Sequence, residues 1–398
     1  MSSISPLSRH RRSPQDAGTP STARHALPGW LPTSLHALLE RADIRINGGR
    51  PWDPQVHDRR FWRRVALHRS LGLGEAYMDG WWDCEALDQF ICRLLVHGGG
   101  TESQSRWRDA GQWLWQALVN RQSLRRAPTV AHRHYDLGND LFQRMLDPTM
   151  SYSCGYWRRA HTLDEAQTHK LDLICRKLQL TPGMTLLDIG CGWGGLLHHA
   201  ATHYGVQGLG VTLSGEQADI ARERCRGLPV EIRVQDYRTL QGHFDRIVSV
   251  GMFEHVGRRN YATYFRTCER LLEPDGLTLL HTIGSNSSSH GHDPWIDRYI
   301  FPNGELPSVA QIATASQAHF VTEDVHGFGP DYARTLRAWD TNFRHHWPEI
   351  APRYDERFYR MWRYYLNSCA GAFDARDIQL WQWVFSPFHR RAAYQSVR

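Results

Sequence analysis

Three features of the chain predict an α/β fold, a parallel sheet with helices on both faces. The first is MTLLDIGCGWGGLLHHAATHYG, residues 184–205, where an apolar run ends in glycines and passes into an amphipathic pattern: strand, tight turn, helix. The second lies beyond that turn. VQGLGVTL, PVEIRVQ, FDRIVSVG and LTLLHTIG read as strands, and SGEQADIARERCRG and RNYATYFRTCERLL as helices between them, the alternation that builds a parallel sheet. The third is size: 398 residues with 41% hydrophobic content can bury a full core, as two domains or one large elaborated one.

In chain order, residues 1–27 are rich in Ser, Pro and Arg with few large apolar side chains, and are expected to form a disordered basic tail. Residues 28–98 change character. SLHALLERADIRING passes from helical to strand-like, and FWRRVALHRSLGLGEAYMDGWWDCEALDQFICRLLV carries aromatics at helical spacing, which predicts a small N-terminal α+β domain. Its Trp62, Tyr77, Trp81 and Trp82 suit a core and equally suit contact with lipid, because Trp and Tyr join an apolar body to a polar tip. Residues 99–130 open with a flexible GGGTES and continue as an amphipathic helix. Trp107, Trp113, Leu114, Leu118 and Val119 share one face of it, which either packs between domains or lies on a membrane surface.

Residues 131–398 carry the alternating pattern. They are entered through HRHYDLGNDLFQRMLDPTMSYSCGYW, dense in Tyr, His, Gly and Cys without a period, as stretches that line sites tend to be. LDEAQTHKLDLICRKLQL then forms a helix that TPG stops, one helix upstream of the glycine turn. Residues 285–308 interrupt the sheet and have the length and aromatic content of a lid. Beyond them the pattern predicts a helix and a strand, two long helices, and DIQLWQWVFS as a last strand closing the sheet.

The formal charge of +6 permits an anionic partner, phospholipid or nucleic acid. Eight cysteines show no metal-type pairing, and His290 and His292 with Asp293 sit in a serine-rich loop too weakly patterned to hold an ion, so no metal is expected. Neither a secretory signal nor a long uncharged apolar span is present, which predicts a protein of the reducing cytoplasm that meets a membrane only from outside.

In such sheets ligands sit at the carboxyl ends of the strands. Here those ends are residues 188–192, 212–217, Asp236 with Tyr237, 251–255 and 281–284, one predicted crevice. Gly190, Gly192, Gly194 and Gly195 lack a Cβ, so the chain turns sharply and a ligand can lie against the backbone at a helix N-terminus, although a purely structural turn uses the same residues. Thr212 stands where a dinucleotide site carries an acidic ribose partner, which argues against NAD.

DIGCGWGG, GVTLSGEQ, DYR, MFEHVG, HTIG and CAGAFDARDIQLWQ together resemble the cyclopropane-fatty-acyl-phospholipid synthases, S-adenosylmethionine-dependent enzymes related to the mycolic acid cyclopropane synthases. The resemblance runs from about residue 38 to 385 and includes RADIRINGGRPWD and SLGLGEAYMDGWWD. It implies a Rossmann-like class I methyltransferase sheet. The implied cofactor is S-adenosylmethionine, its methionine part near Asp188, Gly190, Cys191, Gly192, Trp193, Gly194 and Gly195. Its adenosine would lie by Thr212, Leu213, Ser214 and Gln217, its adenine by Asp236 and Tyr237, with Tyr152 and Ser153 closing over it.

The resemblance also implies a bound bicarbonate ion that removes a proton, held by the Cys154 backbone, Glu254, His281, the Ile283 amide and Tyr332, and it marks Cys369 as an active-site cysteine. The implied partners are unsaturated phospholipid acyl chains at the membrane surface rather than nucleic acid, the implied assembly a homodimer, and the implied place the inner face of the membrane. Each residue also has a plainer role open to it. Glu254 can cap the helix beginning near Arg258, His281 and Tyr332 can be core residues, Cys154 an inert thiol, and nothing near Cys369 in sequence gives it a base. The rival activities are methyl transfer to the same alkenes ending in a branch or methylene, and a non-catalytic lipid- or nucleic-acid-binding module; the full bicarbonate set speaks for ring closure.

Overall fold

The computed structural model describes residues 30, 32–98, 138–288 and 293–398. The expected tail at 1–27, the linker helix at 99–130, and His290 and His292 lie outside the described residues, as do the first residues of the passage beginning at His132.

A seven-stranded sheet organises the chain. Its parallel part consists of β3 (Thr185–Ile189), β4 (Gln207–Thr212), β5 (Val230–Val234), β6 (Phe244–Val250) and β7 (Leu272–Ser285). The central strands are buried on both faces, which is why they read as continuous apolar runs. The last strand departs from the expectation. β9 (Ile378–Ser386) does not close an edge but enters between β7 and β8 (Val321–Gly327), antiparallel to both, so the sheet is mixed and β8 is the edge. The strand order is β5-β4-β3-β6-β7-β9-β8. The reversal follows from chain direction: the long helix ahead of β9 returns the chain to the rim where β7 ends.

Helix α5 (Leu163–Lys177) precedes β3, α6 (Gly195–Tyr204) follows it, α7 (Gly215–Arg224) follows β4, and α8 (Tyr261–Leu271) leads into β7. The start of α5 is fixed by a capping box in which Thr162 and Glu165 exchange side-chain and backbone hydrogen bonds. The 285–308 segment contains α9 (Pro294–Tyr299), and Ser308 caps α10 (Val309–Ser316). The two long helices are α11 (Gly329–Ile350) and α12 (Glu356–Asp374).

Ahead of the sheet lie α1 (Thr33–Arg41), α2 (Arg60–Met78), α3 (Leu87–Gly98), the short α4 (Asn139–Met145), and a two-residue antiparallel pair, β1 (Gln55–Val56) with β2 (Trp82–Asp83). Tyr77 and Trp82 are buried in a core continuous with α11 and α12, while Trp62 and Trp81 pack at its margin. Arg360 of α12 ties the two parts together, donating to the Trp82 carbonyl at 2.8 Å and pairing with Asp83 at 2.7 Å. The segment expected as a lid is pinned in the same way, since Trp295 is buried and Tyr299 Oη donates to Glu75 of α2 at 2.9 Å.

Candidate active site

At the rim where the parallel strands end lies a cavity of about 960 Å3. Its first wall is the glycine turn. Gly190 has φ +87°, and a Cβ there would stand 2.9 Å from Met252, so only glycine lets the turn close against the chain that leaves β6. The Gly190 and Cys191 amides donate to the Val211 carbonyl at 2.9 and 3.0 Å, fastening the turn to β4. A Cβ on Gly195 would lie 2.5 Å from the Thr149 carbonyl oxygen, which is how the segment carrying Tyr152 and Ser153 comes down over the turn.

Gly190, Cys191, Gly192, Trp193 and Gly195 line the cavity; Gly194 does not, and instead supplies the left-handed residue that starts α6. The Trp193 indole points its N–H to Asn139 Oδ1 at 3.0 Å. Asp188 lines the cavity with Oδ1 buried and without a partner, and burial raises its carboxyl to about 7 against the pull of Lys170.

Thr212, Leu213, Ser214 and Gln217 also line it. Thr212 Oγ1 donates to Gln217 Oε1 at 3.0 Å, and Ser214 caps α7 by accepting from the Gln217 amide, so these polar groups hold each other in place. Asp236 and Tyr237 line the next strand end, with Asp236 already paired to Arg238 at 2.5 Å. Tyr152 Oη meets Tyr365 Oη at 2.8 Å. Ser153 Oγ accepts from Lys170 Nζ at 3.0 Å and its carbonyl accepts from Gln167 Nε2 at 2.8 Å.

Lys170 was not legible as a site residue. It is 2% exposed, lines the cavity, and burial lowers its ammonium to about 8. The sequence held one signal: Leu163, Ala166, Gln167, Lys170, Leu171 and Ile174 recur at helical spacing, so the lysine falls on the buried stripe.

The other end of the cavity is lined by the buried Glu254 and Tyr332 and the half-buried Ile283 and Cys369, whereas Cys154 and His281 are buried behind its wall. Glu254 Oε1 accepts the Ile283 N–H at 2.7 Å, so this amide is directed to the carboxylate, not left free for an anion as the resemblance suggested. Glu254 Oε2 is buried without a partner, and burial lifts the carboxyl to about 7. Glu254 is not the helix cap: Arg258 N–H donates to Glu305 at 2.6 Å.

His281 Nε2 is likewise buried and unpartnered, and burial holds the ring's pKa well below its usual value. Tyr332 stacks on Phe373 at 4.7 Å and lies within electrostatic reach of Cys154, Glu254 and Cys369. Burial pushes the Cys369 thiol up to about 12 and the Cys154 thiol well above its usual value, so neither is a thiolate at neutral pH. Among the described residues no group of three or more His, Cys, Asp or Glu is placed to hold a metal.

The glycine cradle that a Cβ would fill, the unpartnered Asp188 carboxyl and the polar strand ends fit S-adenosylmethionine. The sheet and this site are those of an S-adenosylmethionine-dependent methyltransferase. Residues 122–383 match the family model for mycolic acid cyclopropane synthetase. The chain is 58% identical over 349 residues to the cyclopropane-fatty-acyl-phospholipid synthase of Escherichia coli strain K12, covering 88% of this chain and 91% of that one. It is 42% identical over 262 residues to a probable fatty acid methyltransferase of Pseudomonas putida, covering 63% and 66%. The solved structure of the cyclopropane synthase MmaA2 from Mycobacterium tuberculosis superposes with TM-score 0.61 at 35% identity, over 65% of this chain and 97% of that one. Mycolic acid cyclopropane synthase CmaA1, solved with SAH and CTAB, gives the same TM-score, 0.61, at 35% identity over 65% and 97%. The chain therefore belongs to the mycolic acid cyclopropane synthetase family.

Proposed function

We propose that this protein converts the cis double bond of an unsaturated phospholipid acyl chain into a cyclopropane ring, with S-adenosylmethionine as the source of the added carbon and bicarbonate as the proton acceptor. The observation that carries the reading is one cavity with three kinds of wall. Leu73, Ile91, Leu94 and Leu336 give it an apolar side for an acyl chain, the glycine turn gives it a cradle for the methyl donor, and Glu254 stands among them as a buried carboxyl.

S-adenosylmethionine, when bound, supplies an electrophilic sulfonium methyl. The chain's part is alignment, since an alkene is a weak nucleophile and gains most from being held in a dry pocket. Attack by the alkene leaves positive charge on the acyl chain, and the stacked rings of Tyr332 and Phe373 offer π faces to it. One methyl proton must then depart as the ring closes. Bicarbonate, when bound, supplies the acceptor for that proton.

Two features support an oxyanion beside Glu254. Burial raises the Glu254 carboxyl to about 7, which favours its protonated form near neutral pH, and in that form the unpartnered Oε2 can donate to an anion while Oε1 keeps the Ile283 N–H. His281 offers a second unpartnered nitrogen, and burial keeps it neutral.

No helix among the described residues is long and apolar enough to cross a membrane. We read the chain, as its family resemblance implies, as meeting the inner membrane face from the cytoplasm, as a homodimer, with residues 28–98 as its lipid-contact part and 285–308 bordering the acyl site. The test is to incubate the protein with methyl-labelled S-adenosylmethionine and vesicles of cis-unsaturated phospholipid. The expected product is an acyl chain that has gained one CH2 and lost its double bond; no incorporation into any unsaturated lipid refutes the reading.

A further inference from the structure

Gln382 belongs to none of the groups so far given a role, yet it is fully buried in the middle of β9. From Leu380 to Phe385 the strand reads Leu-Trp-Gln-Trp-Val-Phe, so this glutamine interrupts an otherwise apolar stretch. Because β9 runs antiparallel between β7 and β8, Gln382 lies directly opposite His281 on one side and His326 on the other. His326 Nδ1 is engaged by Lys177 Nζ at 3.1 Å, and the Gln382 amide nitrogen stands 3.1 Å from His281 Nδ1.

We propose that Gln382 is a positioning residue that fixes His281 as a hydrogen-bond donor, through Nε2–H, toward the oxyanion of the reaction pocket. An amide nitrogen only donates, so His281 Nδ1 accepts and the ring proton resides on Nε2. That nitrogen is buried without a partner on the chain, and although His281 stands behind the cavity lining it shares a face of β7 with the lining Ile283, two residues on. Burial also holds the ring's pKa well below its usual value, so it stays neutral and accepts a proton poorly, which suits a fixed donor.

The glutamine is a poor choice for stability alone. Its Oε1 is itself buried and unpartnered, whereas a leucine at this position fills similar volume and leaves no polar atom to satisfy. What the amide adds is direction for the ring beside it, the part that orienting groups play behind a catalytic or ligating histidine. The inference rests on the oxyanion reading of the pocket and assigns the residue that prepares its histidine donor.

The experiment uses the full-length chain labelled with 15N-histidine, the His281 ring being assigned by its loss in His281→Gln. The expected spectrum is that of a neutral, Nε2-protonated ring. A ring protonated on Nδ1, the state in which the glutamine oxygen accepts from it, overturns the proposal. Because this is read in the unsubstituted chain, a variant that misfolds does not remove the test.

In Gln382→Leu the two tautomers should mix. The bicarbonate concentration giving half-maximal rate should rise about tenfold, with S-adenosylmethionine affinity by calorimetry unchanged. An unaltered bicarbonate requirement in a folded Gln382→Leu chain overturns the positioning role. If the wild-type rate ignores bicarbonate altogether while the ring is Nε2-protonated and Gln382→Leu lowers kcat, the bicarbonate reading falls and the assignment of Gln382 stands.

Discussion

At the donor end of the cavity the backbone does the shaping, at the rims of the adjacent strands β3, β4 and β5; at the other end, buried side chains converge from four separated parts of the chain. The donor end needs glycines that a Cβ would displace, and hydroxyls and amides that hold each other. In the proposed reading the proton-handling end draws on Glu254 after β6, His281 and Ile283 on β7, Tyr332 on α11 and Cys154 in the loop before α5, and Glu254 and His281 each keep an unpartnered atom out of water. Shape made by backbone suits binding a large cofactor, whereas unpartnered buried groups suit chemistry that changes charge. The two ends should accordingly fail in different ways.

The largest effect expected at the donor end is from Gly190→Ala. The positive φ and the 2.9 Å approach to Met252 force the turn to move, at about 1–3 kcal/mol, so S-adenosylmethionine affinity by calorimetry should fall about ten- to a hundredfold. Unchanged affinity would show that the cradle is not where the donor lies.

A change in stability should come next, at the opposite end. Glu254 has a folded value near 7 against 4.5 for the free side chain, so the folded chain holds this proton while the unfolded chain has lost it. The group therefore subtracts stability as pH rises from 4.5 to about 7, by at most about 3 kcal/mol, and subtracts nothing further above that. Glu254→Gln should flatten the fall in Tm over that window in part, since Asp188 titrates in the same direction. Parallel Tm profiles for the two chains would contradict the burial argument.

The smallest effect is at Cys369. Its thiol lines the cavity but stays protonated, with no base to activate it, so Cys369→Ser should keep turnover within about threefold. A loss of a hundredfold would give this cysteine a role that its surroundings do not suggest.

The same contrast governs what the sequence made legible. The donor end is contiguous in sequence: a glycine turn after an apolar run, then polar residues just past each strand, and these patterns mark one wall of the cavity without a structure. The proton-handling end is not. Its residues were nameable only through resemblance to a family, and the bond between Glu254 and the Ile283 amide had no local sign because the partners lie 29 residues apart. Lys170 and Lys177 hid for another reason. Lysine is ordinarily solvated, and only their place on the apolar stripe of α5 hints that both are buried. The insertion of β9 between β7 and β8 was equally hidden, since strand order depends on where α12 delivers the chain and not on the strand's own pattern.

That the two ends are separable is tested most directly by Glu254→Gln, measured for kcat on unsaturated phospholipid vesicles and, by calorimetry, for S-adenosylmethionine affinity. The account predicts a turnover loss of about 10²- to 10⁴-fold with affinity within about twofold of the unsubstituted chain. Equal losses in both would mean that Glu254 belongs to the donor end and that the cavity has no such division.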